Sequence, residues 1–384
     1  MSVPVYYSSC PNYDAPALDG ALQSLLKPVL EECGTVKGKK VLVKPNLLFC
    51  RRPDDPAAVN PALIEAVCRQ LSDAGAASVT LLENPGTQHV KAIIGTMGIS
   101  DKLEKMGVRF DDFSDYRELQ LPPQCQFRQL KIAREFENFD LIVDLAKAKT
   151  HAMMTLTLAV KNLFGLIDSA DRLAWHLAVG SDFKRFADLL LDLYLTVKPG
   201  ISIIDGIIGM EGNGPGSGTP VASGFLAASS DALALDASVA EILGVNGSDL
   251  VLLQQAVRRK IPFSYENHGT IPCIAPFKLP DPPGAFNAWG VMLPPFFKKQ
   301  LRNLAGTRPK VIAEGCISCG RCVQVCPPRS LKLKKVKGKD IPVFDLDNCI
   351  RCYCCQEHCP KGTIEVRPQL LNTLLSTLVK LFRR

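Results

Sequence analysis

Two short cysteine runs near the C-terminus constrain this chain more than any other feature. One run spans Cys316–Cys326 and the other spans Cys349–Cys359, and in each the four motif cysteines are separated by two, two and three residues. A proline follows the fourth cysteine of both runs. Three thiolates of such a loop reach three corners of one iron–sulfur cubane, whereas the fourth is turned away and reaches the neighbouring cluster. The spacing therefore predicts two 4Fe-4S clusters with crossed ligands.

Each run is expected to give three ligands to its own cluster and one to the other. The predicted ligands of the first cluster are Cys316, Cys319, Cys322 and Cys359. The predicted ligands of the second cluster are Cys349, Cys352, Cys355 and Cys326. Cys354 is an extra thiol inside the second run, and we interpret it as a bystander. Structural zinc is the alternative, but it would need only CxxC pairs and no proline after each fourth cysteine.

The two runs resemble those of the bacterial two-cluster ferredoxins, and the match covers about residues 310 to 367. The resemblance implies an electron relay, in which an electron enters at one cluster and leaves from the other. Hydrogen bonds and solvent exposure tune the potential of such clusters over a wide range. The spacing therefore predicts the carrier and not its potential.

The cysteine content also indicates the compartment. The chain has 15 cysteines, of which nine lie between Cys316 and Cys359. Cytosolic thiols are kept reduced, so this content favours metal ligation over disulfides. The N-terminal residues lack the pattern of a signal peptide, and no apolar stretch approaches the roughly 18 to 20 residues that span a bilayer. We therefore expect a cytoplasmic protein without a transmembrane segment.

The length of 384 residues predicts a large domain and a small one. We place the large domain at residues 1–275, a proline-rich linker at 276–309, the two-cluster module at 310–367 and an amphipathic helix at 368–384. From Lys298 onward there are 18 lysines and arginines against six acids, so the small domain is basic. We expect the terminal helix to pack on its own protein, and peripheral membrane contact is the alternative.

Short apolar runs alternate with helical spacing in the large domain. The runs lie at Lys39–Val43, Ser78–Leu82, Asp140–Asp144 and Ile201–Ile204, and apolar residues repeat at three and four within Pro61–Gly75. Nearly continuous apolar runs are typical of strands buried on both faces. The pattern predicts an α/β large domain with a mainly parallel sheet and flanking helices, followed by a small α+β ferredoxin-like domain.

Polar and glycine-rich segments follow the predicted strands, where we expect them to form loops. They are Lys44–Asn46, Asn84–Gly86, Lys147–His151, Lys161–Asp168 and Asp205–Pro220. Open parallel sheets bind ligands beyond the carboxyl ends of their strands. These segments are therefore the predicted site of the large domain.

This set of segments resembles the family named domain of unknown function 362, over most of residues 38 to 245. Members of that family often end in a two-cluster ferredoxin module. Where the family more often has aspartate and serine before Pro-Gly, this chain has Glu83 and Asn84, so Glu83 is expected to take the acidic role. The resemblance implies an architecture without a reaction.

Cationic side chains in these segments suit a ligand that carries carboxylate or phosphate. The candidate binding residues are Lys44, Asn46, Lys147, Asn162, Glu211, Gly212 and Gly214. The candidate catalytic residues are His151, Lys149, Lys161 and Asp205. His151 is the candidate proton donor, because a histidine can hold or release a proton near neutral pH. The alternatives are solvated lysines, a structural histidine and acids that only cap turns.

The leading hypothesis is a ferredoxin-type oxidoreductase that delivers single electrons to a small anionic substrate or cofactor in the large domain. The alternative is an electron-transfer adaptor without catalysis, whose large domain docks a redox partner protein while its basic C-terminal face meets an acidic one. Nucleic-acid binding is a weaker alternative, since the lysines between Lys332 and Lys339 lack interleaved aromatic residues. No dinucleotide fingerprint follows the first strand.

Overall fold

The computed structural model describes residues 2–86, 88–180, 182–280 and 307–368. Within these ranges the chain forms a large α/β domain and a small C-terminal domain of paired antiparallel strands. The predicted fold class is confirmed.

One mixed sheet is the framework of the large domain. Its strands lie in the spatial order β11 (Tyr265–Gly269), β1 (Val3–Ser9), β10 (Thr219–Ser229), β9 (Ile201–Glu211), β7 (Leu141–His151), β2 (Lys40–Pro45), β3 (Ser78–Glu83) and β4 (Arg109–Asp112). A short strand, β8 (Thr155–Thr157), pairs with β7. From β9 to β4 the neighbours are parallel, whereas β10 is antiparallel to both of its neighbours. The strands β5 (Tyr116–Gln120) and β6 (Gln129–Ala133) form a separate hairpin.

Helices cover both faces of this sheet. One face carries α1 (Ala15–Cys33), α2 (Pro61–Asp73), α3 (Val90–Met97) and α4 (Ser100–Lys105). The other carries α5 (Ala159–Asn162), α6 (Ser169–Val179), α7 (Phe183–Val197), α8 (Ala232–Ile242) and α9 (Val251–Arg258). Short 3₁₀ helices occupy Glu135–Asn138, Leu163–Leu166 and Gly247–Asp249. Val41 and Val43 pack on the first group and Leu42 on the second, since successive side chains of a strand point to opposite faces.

Two of the predicted loops are largely strand. β7 continues through Lys147–His151 with every residue buried, and β9 continues through Asp205–Glu211. The prediction of loops there was wrong, because the polar side chains find partners on neighbouring strands and need no solvent. The turn between β9 and β10 is limited to residues 212–218.

The small domain consists of two antiparallel pairs and two short helices within the described ranges. β12 (Thr307–Val311) pairs with β15 (Ile364–Pro368), and β13 (Leu331–Val336) pairs with β14 (Lys339–Phe344). The helices α10 (Arg321–Gln324) and α11 (Cys354–Glu357) each begin inside one cysteine run. Both runs therefore have the same local architecture.

Two elements of the predicted domain plan, the linker and the terminal helix, fall largely on residues outside the described ranges. The predicted terminal helix at 368–384 lies outside the described residues beyond Pro368, as does most of the predicted linker. β12 begins at Thr307, inside the predicted linker range of 276–309. Of the helices in the described ranges, none has both the length and the apolar character to cross a bilayer.

Candidate functional site

The first predicted cluster site is a small cavity in the small domain. Cys316, Cys319, Cys322 and Cys359 all line this cavity, so its fourth cysteine comes from the second run. Burial raises the pKa of Cys322 to about 11, and the thiols of Cys359, Cys319 and Cys316 contribute to that rise. The four predicted ligands thus face one another.

The second predicted set is brought together in the same crossed manner. Burial raises the pKa of Cys355, and the thiols of Cys352, Cys349 and Cys326 raise it further. Cys326 therefore lies among the cysteines of the other run. Cys322 and Cys359 of the first set and Cys326 and Cys355 of the second pack in one apolar cluster, which makes the two sites neighbours.

The fourth cysteine of each run receives matching hydrogen bonds. The Ser330 amide donates to Cys326 Sγ at 3.3 Å, and the Ser330 hydroxyl lies 3.4 Å from the same sulfur. The Thr363 amide donates to Cys359 Sγ at 3.3 Å, and the Thr363 hydroxyl lies 3.3 Å away. Hydrogen bonds to ligating sulfurs adjust cluster potentials. The similarity between the two cysteine runs thus extends to a hydroxyl residue four positions after the fourth cysteine of each run.

These cysteines fit a cluster better than a single ion. In the described residues, no three His, Cys, Asp or Glu side chains converge closely enough to hold one metal ion. The four cysteines of the first set instead line one small cavity. Both sets consist of thiols alone, which are the ligands that 4Fe-4S clusters take. The residues present therefore fit such clusters.

A larger cavity, of about 180 Å³, lies where the large domain meets the second cysteine run. We call it the domain-boundary cavity. Its polar lining from the large domain includes Asn46, Glu83, Lys149, Lys161, Asn162 and Arg172. Its lining from the small domain consists of Val325, Cys354, Glu357 and His358. Residues from β3, β7, α5, α6 and α11, together with Asn46 directly after β2, thus converge on one space.

Lys149 is held in the wall of this cavity by a chain of hydrogen bonds. Its Nζ donates to Asn46 Oδ1 at 2.7 Å and to the Ala57 carbonyl at 2.8 Å. Asn46 donates to Asn162 Oδ1 at 2.9 Å, and Asn162 donates to Asp144 Oδ1 at 2.7 Å. Burial lowers the pKa of Lys149 to about 7, assisted by the cations Lys147 and Lys161. Burial raises the pKa of Asp144 to about 7. Lys149 and Asp144, at the two ends of this series of hydrogen bonds, therefore both have pKa values near neutral pH.

Lys161 and Arg172 supply cations that face the domain-boundary cavity. Within the described ranges, Lys161 Nζ has no hydrogen bond or ion pair and lies 5.9 Å from the centre of the Phe164 ring. Burial lowers the pKa of Lys161, opposed by the nearby carboxylate of Glu357. Arg172 is anchored, since its Nη2 donates to the Asn84 carbonyl at 2.8 Å. All three N–H donors of Lys161 are therefore available to an anion.

His151 lies beneath the cavity and is almost completely buried. Its Nδ1 accepts from the amides of Met153 and Met154 at 3.0 and 3.2 Å, so Nε2 carries the ring proton. Nε2 lies 3.2 Å from Glu357 Oε1, near enough for an electrostatic contact but too poorly aligned for a hydrogen bond. Burial lowers the pKa of His151 to about 4, so the ring is neutral at pH 7. The Glu357 pKa lies below its usual value because His151 and Lys161 outweigh its burial.

Lys44 and Glu83 form a buried pair beside the cavity. Lys44 Nζ donates to Glu83 Oε2 at 2.6 Å, and of the two only Glu83 reaches the cavity wall. Gly165 makes room for them, because a Cβ there would lie 2.2 Å from Glu83 Oε1 and 2.8 Å from Lys44 Nζ. Glu83 therefore occupies the acidic position that its sequence neighbourhood indicated.

His176 closes another part of the wall and is 5% exposed. Its ring stacks on Phe186 at 5.2 Å, and burial lowers its pKa to about 3. In the described part of the chain, His176 Nδ1 has no hydrogen-bond partner. Buried polar atoms are nearly always paired, so an orphaned nitrogen in a cavity wall is a feature of a ligand site.

Lys147 and Asp205 lie apart from this cavity. Lys147 Nζ donates to Asp205 Oδ2 at 2.7 Å, and the Tyr13 hydroxyl donates to Asp205 Oδ1 at 2.7 Å. Asp205 also accepts from the Asn60 amide at the start of α2. Both carboxylate oxygens of Asp205 are thus engaged in joining β7, β9 and α2, and neither Lys147 nor Asp205 lines the cavity.

The glycine-rich turn at 212–218 meets the small domain. A Cβ on Gly216 would lie 2.9 Å from the Phe49 ring and 3.0 Å from the Glu357 carbonyl. Gln356 Nε2 donates to the Asn213 carbonyl at 2.7 Å. Gly214 packs on Thr150, and Gly212 and Glu211 bond to Lys278. Glu211, Gly212 and Gly214 therefore lie outside the cavity, at a turn that docks the second cysteine run.

Sequence reasoning did not identify the small-domain wall of the cavity. Cys354 was interpreted as a bystander, yet it lines the cavity between two cluster ligands in sequence. Glu357 and His358 also line it, and Arg172 and His176 complete it from α6. The available signal was a Glu-His pair between Cys355 and Cys359, where cluster ligation alone needs neither residue.

The profile of a family described as "Domain of unknown function (DUF362)" matches residues 41–241 of this chain. A profile described as "4Fe-4S dicluster domain" matches residues 315–363. The "Thylakoid-associated protein sll1697" of Synechocystis sp. is 33% identical over 233 residues, which cover 60% of this chain and 72% of that protein.

Among solved structures, the lactate racemase apoprotein from Thermoanaerobacterium thermosaccharolyticum is similar with a TM-score of 0.41 and 15% identity. The match covers 65% of this chain and 58% of the racemase, so the chain spans less than two thirds of that protein. The family profile covers more than half of the chain, and the Synechocystis protein is a relative at 33% identity. The chain therefore belongs to the family of the domain of unknown function DUF362 and carries a 4Fe-4S dicluster domain with an iron–sulfur electron-transfer role.

Proposed function

We propose that this protein is an iron–sulfur reductase in which electrons reach a small anionic substrate or cofactor bound in the domain-boundary cavity. One observation carries the proposal: the same cavity is lined by Lys161 and Arg172 and by residues that alternate with cluster ligands in the second run. A ligand there would lie beside cations and beside an electron source. Iron–sulfur clusters, when bound, supply one-electron transfer.

The chain's own residues have distinct parts in this proposal. Lys161 and Arg172 bind the anion through charge-assisted hydrogen bonds. Glu83 orients Lys44, from which it accepts a hydrogen bond. Asn162 orients Lys149 through Asn46, which is hydrogen-bonded to both. The apolar face of Phe164 and Val325 restricts water.

We assign proton supply to Lys149 and a positioning role to His151. An ammonium whose pKa is about 7 can release a proton at neutral pH, whereas an imidazole whose pKa is about 4 is already neutral there. Lys149 is also the one of these two that lines the cavity.

We propose that the module holds two clusters, one on each crossed set of four cysteines. Protein made under strict anaerobiosis should then contain close to eight irons and eight acid-labile sulfides per chain. Two zinc ions without sulfide would overturn this part of the proposal. All 15 cysteines are unpaired, which suits a reducing compartment and supports a cytoplasmic location.

The reductase proposal is tested by anaerobic purification and mass spectrometry of the small molecules that remain bound. We expect a carboxylate- or phosphate-bearing compound at about one per chain. Lys161→Gln should keep its iron and melting temperature but lose that compound, since one charge-assisted bond is worth about 1.5 to 3 kcal/mol, or roughly ten- to a hundredfold in affinity.

Lys184→Gln is the matched control, because Lys184 is an exposed lysine at the start of α7. It should retain the compound as the unaltered protein does. If no anion copurifies and Lys161→Gln lowers only thermal stability, the adaptor alternative would replace the reductase.

A further inference from the structure

The two cluster sites differ in their access to solvent. In the first set Cys319 is exposed and Cys316 is half-buried, whereas all four cysteines of the second set are buried. The second run packs against the turn at 212–218 and the domain-boundary cavity. One site therefore faces outward and the other faces the large domain.

The outward site has an apolar edge. Ile317 is 53% exposed and Leu333 is 40% exposed, and both line the cavity formed by the first cysteine set. Leu333 lies directly across the β13–β14 hairpin from Pro342, which lines the same cavity. Apolar side chains half in solvent beside a functional group are typical of the centre of a protein interface.

Lysines surround this apolar edge. Those of the hairpin are exposed, and they are Lys332, Lys334, Lys335, Lys337 and Lys339. Lys361 also lines the cavity of the first set. Asp340 is the one acid of the β13–β14 hairpin, and it lies opposite Lys335. A cationic rim around an apolar centre complements a negatively charged partner with an apolar contact of its own.

We propose that the β13–β14 hairpin and Ile317 form the docking surface of an acidic electron-carrier protein that exchanges electrons with the cluster that the first cysteine set would hold. One electron passes per encounter, so the carrier is oxidised by one electron as this protein is reduced by one. The inference deepens the proposed function by naming the electron donor, and it rests on that function only for the destination of the electrons.

The test uses a plant-type ferredoxin, which is an acidic [2Fe-2S] protein, and the complete anaerobically purified chain. Calorimetry measures the Kd at low and high salt, and stopped-flow absorbance measures electron exchange in both directions. Lys335→Glu/Lys337→Glu should weaken binding at least tenfold at low ionic strength. The difference should nearly vanish at about 1 M salt, where the Debye length is about 3 Å.

Lys27→Glu/Lys37→Glu is the matched control, since it changes the net charge equally through exposed lysines of the large domain. Its Kd should stay within about twofold of the unaltered protein's. Equal weakening in both variants, or no binding and no exchange by the unaltered protein, would overturn the proposal. So would tight binding of a single-stranded oligonucleotide with the same lysine dependence.

Two further measurements separate this proposal from the proposed function. Reduction by dithionite and retention of the copurifying anion do not involve the hairpin, so both should be unchanged in Lys335→Glu/Lys337→Glu. If the anion is absent while ferredoxin still binds through the hairpin, the reductase fails and the docking surface stands. If the anion is present and ferredoxin does not bind, the docking surface fails and the reductase stands.

Discussion

Glu357 of the small domain lies 3.2 Å from His151 of the large domain, and both side chains are buried. The Met153 and Met154 amides fix the ring so that its protonated Nε2 faces the carboxylate. Glu357 also belongs to α11, which begins one residue before the predicted ligand Cys355. This contact therefore couples the position of the second cysteine run to the wall of the domain-boundary cavity.

Replacing the Glu357 carboxylate should loosen that coupling. Glu357→Gln keeps the shape but removes the anion near His151 and Lys161, and we expect a loss of about 1 to 3 kcal/mol. The melting temperature should fall by about 2 to 4 °C for each kcal/mol. Glu365→Gln, which removes an exposed pair with Arg367, should cost about 0 to 1 kcal/mol. Equal melting temperatures for the two variants would contradict a coupling role.

The buried histidines should make stability depend on pH. In the folded chain burial lowers the pKa of His151 to about 4 and that of His176 to about 3, against about 6.5 in an unfolded chain. Below pH 6.5 the unfolded state therefore binds more protons, so stability is fully present above that pH and falls as the pH decreases. Each histidine contributes a slope of up to about 1.4 kcal/mol per pH unit.

His176→Phe isolates one of these contributions, since a phenyl ring can occupy the stack on Phe186. Denaturation between pH 5.5 and 7.5 should show a shallower slope for this variant. Leu177→Gln changes an exposed residue of the same helix that carries no titratable group, so it should leave the slope as it is. An unchanged slope in His176→Phe would show that the pKa of His176 is the same in the folded and unfolded chains.

Crossed ligation predicts that each fourth cysteine serves the other run. Cys326→Ala should damage the cluster held mainly by the second run, and Cys359→Ala the cluster held mainly by the first. Low-temperature paramagnetic resonance of the reduced variants distinguishes the two signals. Damage confined to the mutated cysteine's own run would mean uncrossed ligation. Cys354→Ser is the control, and its iron content should be nearly that of the unaltered protein.

Within the glycine-rich turn, Gly216 is the residue on which the docking of α11 should depend most. Gly216→Ala places a methyl group 2.9 Å from Phe49 and 3.0 Å from the Glu357 carbonyl, so α11 must move. Gly212 has a φ of +75° and open space around it, so Gly212→Ala costs about 1 to 2 kcal/mol locally without pushing α11. Amide hydrogen exchange in α11 should accelerate in Gly216→Ala alone. Equal acceleration in both variants would mean that docking of α11 depends on the flexibility of the turn and not on the close contact at Gly216.

The parts that sequence predicted are those determined by local spacing. The two crossed sets of cysteines that lie together follow from intervals of two and three residues, and β2, β3 and the start of β7 follow from apolar runs buried on both faces. Lys147–His151 was misread because polar residues inside a strand normally indicate its end. Lys147 can lie inside the strand because it pairs with Asp205. Asp205 is 58 positions away in the sequence, so no local pattern reveals this partner.

The domain-boundary cavity could not be predicted for the same reason. It joins Lys149 and Lys161 to Cys354 and Glu357 across nearly 200 residues of sequence, and their proximity depends on how α11 docks on the turn at 212–218. The segment motifs did indicate Asn46, Glu83, Lys149 and Lys161 as residues of one site. They did not indicate that Lys147, Asp205 and Glu211 lie elsewhere.

Lys149 should make anion binding depend on pH. Its Nζ donates to Asn46 and Ala57 in the cavity wall, and burial together with Lys147 and Lys161 lowers its pKa to about 7. The charged form attracts an anion, so affinity should be greatest below pH 7 and should fall by up to about tenfold per unit as the pH rises beyond it. Bound anion favours the ammonium, which moves the midpoint upward.

Calorimetry of the copurifying anion between pH 6 and 8.5 measures this dependence. Lys149→Met should reduce affinity at pH 6 by roughly ten- to a hundredfold and abolish the change with pH, because no titrating ammonium remains. Lys149→Arg keeps its charge throughout this range, so its affinity should also be independent of pH but higher than that of Lys149→Met. Iron content verifies that both variants fold. If Lys149→Met retained the full pH dependence, the titrating group would be another member of the wall and the proton supply assigned to Lys149 would fail with it.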